Sequence, residues 1–282
     1  MDVRSFTLTD LNGNSYSLQT KKRFLHTPSG LGYEESTTYQ DFGNHYAVLD
    51  EGLQQSVISA SIVFAGGNRK EVYEKFFEFA KFTRNAPLIL CYRPIFNSYY
   101  RRCRVSKLTK TEINQFGVLE CTIELSCITP WYQTLSAANS GQAGSGKQYN
   151  YTYNYQYSDS ILQSVVLENN GYEESPCRLI IYGPAINPMW YHFVNGVLTT
   201  TGAIDITVAV NHRLVIDTTT IPYTIHEVDS KGALVRDAYQ LSDFSTERFI
   251  RLQPGKNRIT VTHSGSSIIP VAVEGQIEYA SV

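Results

Sequence analysis

Apolar and polar side chains alternate strictly between Leu119 and Cys127. Successive side chains of a β-strand point to opposite faces, so this pattern predicts an antiparallel strand with one buried face. The stretch stops at Pro130, and after Trp131 and Tyr132 the sequence changes to Ser, Ala, Asn, Gly and Gln. We therefore predict that a β-rich domain ends here and that a domain boundary follows.

The chain has 282 residues, which is enough for two domains that each bury their own core. We predict a first domain over residues 1–134, a small-residue linker over 135–147 and a second domain over 148–282. Beyond residue 165, strand candidates such as Arg213–Asp217 and Val271–Tyr279 alternate with turn signals, and no strong helical stretch occurs. The density of turns predicts a β-sandwich, and the whole chain is predicted to be mainly β.

The first domain contains one predicted helix. Asn68 is a favourable N-cap, and Glu71 stands three residues later, as in a capping box. The apolar positions that follow have helical spacing: Val72, Phe76, Phe79 and Ala80, with Tyr73 and Phe77 beside them. This stripe predicts a helix packed on a sheet.

The segment Lys21–Asp50 has no persistent helical or strand period, and its part from His26 to Gly32 is predicted to be a loop. A structureless segment of this length inside a compact domain is usually functional or paired with a neighbour. We therefore single it out as a candidate extended loop.

Charge and composition exclude several classes of protein. The formal net charge is −2, so no global attraction to nucleic acid or to an anionic membrane is expected. Residues 1–20 lack a signal-peptide pattern, and no apolar run reaches the ~20 residues that span a bilayer. The five cysteines include no C-x-x-C pair and are predicted to be buried free thiols in a chain made in a reducing compartment.

No motif in the sequence predicts chemistry. Residues 141–147 spell G-x-x-x-x-G-K, but the hydroxyl residue, the preceding strand and the following helix of a phosphate-binding loop are missing. The six histidines are scattered, and no nucleophile has an assignable base. We predict no catalytic, cofactor-binding or metal-binding residue, no cofactor and no enzymatic activity.

The densest basic run is Arg101-Arg102-x-Arg104, with Lys107 and Lys110 beyond it. Aromatic residues precede this run, as on some nucleic-acid surfaces. The acidic balance of the chain and the strand alternation favour an exposed face or a subunit contact instead.

Five tyrosines alternate with polar residues from Tyr149 to Tyr157, which predicts five rings on one face of a strand. Such a row packs on the other sheet, contacts a partner subunit or holds a sugar. The sequence leaves these alternatives open.

Several separated segments of the chain together match the pattern of a known protein family. In the first half they are Phe6–Leu8, Asp10-x-Asn12-Gly13, the Leu108–Ile113 head with Gly117-x-Leu119, and Thr129-Pro130-Trp131-Tyr132. In the second half they are Gly183–Trp190, Leu214–Asp217 and Phe249–Asn257. In this order and spacing they resemble the siphophage distal tail protein family. The resemblance implies a tail-tube-like N-terminal β-sandwich or barrel with one packed helix and a galectin-like C-terminal β-sandwich.

The resemblance also implies a structural role. The family forms a ring at the distal end of the phage tail, expected here as a homohexamer. The ring would connect the tail tube protein to baseplate or tail-tip proteins, including receptor-binding components. Genomic DNA would pass through the channel without specific binding. The expected location is the tail tip of the virion, after synthesis and assembly in the host bacterial cytoplasm, with no membrane partner.

The sequence is compatible with two other functions. The second domain could be a carbohydrate-binding module that recognises host cell-wall glycan through the tyrosine row or through Trp190. The third alternative is a glycan-active enzyme of the β-sandwich type.

Overall fold

A computed structural model describes residues 4–95, 97–139 and 163–282. The chain divides into two compact units. The first comprises Met1–Gln133 together with Tyr279–Val282, and the second comprises Thr134–Glu278. Both are built from antiparallel strands, so the prediction of a mainly β protein is confirmed.

The elements that begin in the first unit are β1 (Ser5–Thr9), β2 (Ser15–Ser17), β3 (Gln19–Thr20), β4 (Arg23–Ser29), β5 (Glu35–Asp41), β6 (Tyr46–Leu53), β7 (Val57–Ala65), α1 (Arg69–Phe82), β8 (Leu88–Arg93), β9 (Tyr99–Leu108), β10 (Val118–Cys127) and β11 (Trp131–Asn139). The main sheet runs β11-β9-β10-β7-β4-β3, and β8 joins β9 to β1, which pairs with β2. The strands β5 and β6 form a separate two-stranded ladder.

The core of the first unit contains the inward face of β10. Leu119, Cys121 and Ile123 are buried, as their alternation predicts. In the ladder with β7, Cys121 aligns with Ile62 and Leu125 with Ile58, so two apolar faces lie side by side in one sheet. The predicted half-buried strand is confirmed.

The helix α1 covers this sheet, as predicted. The Asn68 side chain accepts a hydrogen bond from the Glu71 backbone N–H at 2.9 Å, and the Glu71 carboxylate accepts one from the Gly67 N–H at 2.6 Å. Phe76 and Phe79 pack on Phe64, with ring centroids 5.9 and 5.6 Å apart. Phe77, by contrast, is exposed and lies outside the buried stripe.

The segment Lys21–Asp50 is not the loop that its sequence predicts, because it contains β4, β5 and most of β6. In β4 the register shifts between His26 and Ser29, and Thr27 has a positive φ of 45°, which interrupts the period of two. In β5 and β6 neither face is buried, so no alternation of apolar and polar residues develops. A strand is identified from sequence by the alternation that arises when one of its faces is buried. Because β5 and β6 bury neither face, the sequence predicted a loop here.

The strands that begin in the second unit are β12 (Gln163–Asn169), β13 (Ser175–Tyr182), β14 (Ala185–Ile186), β15 (Met189–Val194), β16 (Val197–Ala203), β17 (Thr207–Val208), β18 (Arg213–Asp217), β19 (Thr224–Val228), β20 (Leu234–Asp237), β21 (Arg251–Leu252), β22 (Gly255–Thr262) and β23 (Val271–Tyr279). A single 3-10 turn, Tyr239–Leu241, follows β20 among the described residues. One sheet contains the order β20-β19-β18-β13-β23, and the other is β12-β22-β15-β16.

Both sheets of the second unit contribute buried side chains. Leu179 aligns with Ile216 on one side and with Val273 on the other, and all three are buried. In the other sheet Trp190 is fully buried beside Gly202, where a Cβ would lie 2.3 Å from the indole. These are the two sheets of the predicted β-sandwich.

Strand β11 runs through residues 135–139, which belong to the segment predicted as a linker. Residues 140–147 lie outside the described part of the chain. All five cysteines are free, four of them buried and Cys91 half-buried. Burial raises the pKa of Cys103 and of Cys177 to about 12, so these thiols are unreactive core groups.

Candidate assembly surfaces

The hairpin arm, defined here as residues 33–53, is the ladder of β5 and β6 with the turn between them. Its register runs from Glu35 opposite Leu53 to Asp41 opposite Tyr46. The turn is closed by a hydrogen bond from the Gly43 N–H to the Asp41 carboxylate at 2.7 Å, and Gly43 has a positive φ of 88° that suits glycine. The eight residues of β6 extend over about 27 Å.

The arm exposes both of its faces. Every residue of β6 is exposed, and Thr37 is the one half-buried position in β5. Seven large apolar side chains are nonetheless present and exposed: Tyr33, Tyr39, Phe42, Tyr46, Val48, Leu49 and Leu53. An isolated two-stranded hairpin is marginally stable in water, and grouped exposed apolar residues indicate an interaction surface. The arm therefore has the properties of a segment completed by a partner.

The arm is also strongly acidic. It carries five carboxylates and contains neither Lys nor Arg. No ion pair to any of the five occurs among the described residues. A complementary partner would therefore be basic as well as apolar.

The basic run of β9 is split between two faces of the strand. Arg104 is exposed, as predicted for a solvated or subunit-contact face, and Arg102 is half-buried. Arg101 is only 6% exposed and shares the inward face with Cys103. An exposed face is not found at Arg101, because side chains two residues apart on a strand point to the same side and Cys103 is buried. The alternative, a subunit contact, stays a prediction.

Arg101 lines an open cavity of about 350 Å³ at the base of the hairpin arm. Its Nε donates to the Thr129 carbonyl at 2.7 Å, and its guanidinium lies 5.4 Å from the centre of the Trp131 ring. Its Nη1 is buried without a hydrogen-bond partner in the described part of the chain. Burial lowers the pKa of Arg101, but an arginine stays protonated at physiological pH.

A second open cavity, of about 540 Å³, lies in the second unit. Arg251 pairs there with Glu174, with Nε 2.8 Å from Oε1, and donates from Nη1 to the Tyr223 hydroxyl at 3.1 Å. The His192 ring is hydrogen-bonded to the Asn257 side chain at 2.9 Å, and burial lowers the pKa of His192, which favours the neutral ring. The polar side chains of this cavity are thus largely paired with one another.

Of the two glycan contacts predicted for the second domain, the tyrosine row and Trp190, the structure excludes Trp190. Trp190 is completely buried, and its Nε1 donates to the Arg248 carbonyl at 3.1 Å, so no ring face is available to a glycan. The tyrosine row from Tyr149 to Tyr157 and the G-x-x-x-x-G-K sequence lie outside the described residues.

The described residues contain no group of three His, Cys, Asp or Glu side chains arranged to hold a metal ion. Four of the six histidines, His26, His192, His212 and His263, have ordinary structural partners, such as Glu227 for His212 at 2.8 Å and Glu120 for His26 at 3.2 Å. No helix in the described ranges is long and apolar enough to cross a membrane.

Comparisons with known proteins agree with this architecture. The family model of the distal tail protein N-terminal domain matches residues 5–128. A chain in the structure of the phage P2 baseplate in its activated conformation with Ca is 18% identical, with a TM-score of 0.66 and 100% of both chains covered. The Dit protein of phage SPP1 is 10% identical, with a TM-score of 0.65 over 96% of this chain and 98% of that chain. No curated protein sequence matches.

The fold and the family match define a structural component of a phage tail, a class that does not consist of enzymes. Residues 5–128 carry the N-terminal domain of the distal tail protein family. The resemblance stated from the sequence is confirmed. The solved structures share the fold across both units, which also confirms the fold class.

Proposed function

We propose that copies of this chain form a homohexameric ring at the distal end of the tail. The ring connects the tail tube protein to baseplate or tail-tip proteins, including the receptor-binding components. Its central channel lets genomic DNA pass without specific binding. The single observation that carries the proposal is the hairpin arm, whose exposed apolar side chains on both faces need a neighbouring chain.

The arm provides a physical basis for ring closure. Burying one large apolar side chain contributes roughly 1.5–3 kcal/mol, so a few such residues per contact offset much of the cost of association. A contact between an arm and a different surface of the next copy is heterologous, and heterologous contacts that close generate rings.

The proposed role is assembly and docking, without catalysis or a cofactor. The first unit acts as the tail-tube-like ring domain, and the second, as a galectin-like sandwich, carries the docking of baseplate components. The chain is made and assembled in the host bacterial cytoplasm and ends in the virion tail tip. We propose residues 1–134 and 148–282 as the functional domains.

Carbohydrate recognition by the second domain is retained as a second candidate. The observation that favours it is the open cavity at Arg251, in which a guanidinium, carboxylates and the aromatic rings of Tyr223 and Phe249 lie together. Such groups suit a polyhydroxylated ligand. This cavity or the tyrosine row, and not Trp190, would contact the glycan.

The ring is tested by light scattering after size exclusion. The wild-type chain should elute with six times the mass of one 31.8 kDa chain. The variant with Tyr39→Ser, Val48→Ser and Leu49→Ser should elute as a monomer with an unchanged melting temperature, because the three side chains are exposed in the single chain. The matched control is Phe116→Ser, at an apolar residue that is 80% exposed outside the arm.

A hexamer is expected for the Phe116→Ser control. A wild-type chain that stays monomeric at high concentration contradicts the proposal. So does a triple arm variant that still forms rings.

A further inference from the structure

The positive charge of Arg101 is buried without an anionic partner among the described residues of its own chain. Arg101 is 6% exposed, and no carboxylate forms an ion pair with it among the described residues, which include the three strands β8, β10 and β11 that pair with β9. The Thr129 carbonyl and the Trp131 ring provide partial compensation at 2.7 and 5.4 Å. The buried Nη1 has no hydrogen-bond partner among the described atoms.

An unpaired buried charge is costly, because desolvation of a guanidinium is not offset by one carbonyl and one ring. Buried arginines are therefore normally paired with a carboxylate or phosphate. In the second unit the buried charge is the carboxylate of Asp217, and the half-exposed Arg178 pairs with it at 2.8 Å. Arg101 is likewise a buried charge, but no group of opposite charge pairs with it among the described residues.

The cavity beside Arg101 is suited to receive one. It is open to solvent and combines the amide side chains of Gln54 and Gln55 with apolar surface from Ile128 and Pro130. A carboxylate flanked by apolar side chains matches this lining. An isolated phosphate matches it less well, since Arg101 is the one charged side chain that lines the cavity.

The complementary group is present elsewhere in the same sequence. The hairpin arm offers five carboxylates without cationic partners in the described structure, interspersed with exposed tyrosines, Val48 and Leu49. The arm has carboxylates without cationic partners in the described structure, and the cavity has a guanidinium without an anionic partner.

We propose that a carboxylate from the hairpin arm of a second copy enters the cavity at the base of the arm and pairs with Arg101. Each copy thus donates an arm and receives one, so the contact is heterologous and directional. This inference deepens the proposed ring and rests on it. It assigns to Arg101 the role of the residue that receives the neighbouring arm.

The test uses two full-length variants. In the first, Arg101→Met removes the charge and keeps much of the volume. The second converts the arm carboxylates to amides through Glu34→Gln, Glu35→Gln, Asp41→Asn, Asp50→Asn and Glu51→Gln. Its control converts five exposed carboxylates outside the arm through Glu74→Gln, Glu78→Gln, Glu168→Gln, Glu173→Gln and Glu274→Gln. Arg104→Met, at an exposed position of the same strand, is the control for the first variant.

Sedimentation velocity over a concentration series should show that each of the two test variants needs at least about ten-fold more protein than the wild type to assemble. Both controls should assemble as the wild type does. An equimolar mixture of the two test variants should form 1:1 dimers, because the intact arm of one fits the intact Arg101 cavity of the other.

The melting temperature of monomeric Arg101→Met should be no lower than that of the monomeric wild type, since the variant removes an unpaired buried charge. A lower melting temperature would make Arg101 a residue of the fold and would overturn the inference. Test variants that fail to complement each other would overturn it too, because the anion would then come from another group.

Normal ring formation by Arg101→Met overturns the contact and leaves the ring intact. A wild-type chain that never assembles overturns both. The two failures are therefore distinguishable in one experiment.

Discussion

The ladders β7–β10 and β5–β6 are both antiparallel strand pairs of the first unit, and they differ in what covers them. In β10 every second side chain is buried, including Leu119, Ile123 and Leu125. In β6 no residue is buried. The same backbone pairing thus occurs once as part of a core and once without any core of its own.

The difference shows where each ladder obtains its stability. Hydrogen bonds between strands contribute little net free energy, because the unfolded chain makes equivalent bonds with water. Apolar burial therefore decides, and β10 obtains it within its own chain. The hairpin arm can obtain it only from a neighbour, so its side chains should matter for assembly and hardly at all for folding.

The largest expected effect is on folding through β10. Ile123→Ala should lower the free energy of unfolding of the first unit by roughly 2–5 kcal/mol, because it leaves a cavity at a fully buried position. Leu49→Ala in the arm should change it by less than about 0.5 kcal/mol in the monomer. Urea titration with hydrogen exchange of β10 peptides measures both values.

Equal losses from the two substitutions would contradict the comparison. They would mean that the arm is covered by its own chain. A large loss confined to Ile123→Ala would separate the folding role of β10 from the assembly role proposed for the arm.

The same contrast explains what the sequence could and could not predict. Alternation identified β10, and a cap with a stripe identified α1, because both patterns follow from burial on one face. The arm escaped prediction because neither face is buried. Its length and its lack of a period are the signals that marked the segment for a partner without giving its structure.

Asn195-Gly196 is a turn signal that depends on neighbouring residues alone, and both residues have positive φ, as a tight β-hairpin requires. Other features depend on contacts between residues far apart in the sequence and could not be predicted in this way. The full burial of Trp190, by contrast, depends on Gly202 and on the Arg248 carbonyl. The inward Arg101 could have been predicted from its spacing to Cys103, but its missing anion could not.

Two glycines within strands provide a second and smaller contrast. In β16, Gly202→Ala would place a Cβ 2.3 Å from the Trp190 indole and should lower the free energy of unfolding of the second unit by about 1–3 kcal/mol. In β6, a Cβ on Gly52 meets no atom within 4 Å, and Gly52→Ala should be neutral within about 0.5 kcal/mol.

Circular dichroism melts of the two glycine variants, each at a concentration where the chain is monomeric, check this prediction. A Gly202→Ala variant as stable as the wild type would show that the indole moves freely. That result would contradict the tight packing described for the second unit.

The smallest expected effect concerns paired and unpaired carboxylates. Hydrogen bonds from Lys22, from Lys75 and from the Gly67 N–H lower the pKa of Glu71 from 4.5 to about 2 in the folded chain. The stabilisation is therefore fully present above pH 4.5, and it is lost as the pH falls from 4.5 through about 2. In Glu71→Gln the melting temperature should therefore fall less on acidification below pH 4.5 than in the wild type, and at neutral pH it should be slightly lower than in the wild type. Asp50→Asn removes an arm carboxylate that has no ion pair among the described residues, and its melting temperature should fall on acidification as that of the wild type does. Thermal melts of the monomer from pH 6 to 2 distinguish the two variants. If the melting temperature of Glu71→Gln falls on acidification as much as that of the wild type, the Glu71 carboxylate does not contribute to stability in acid.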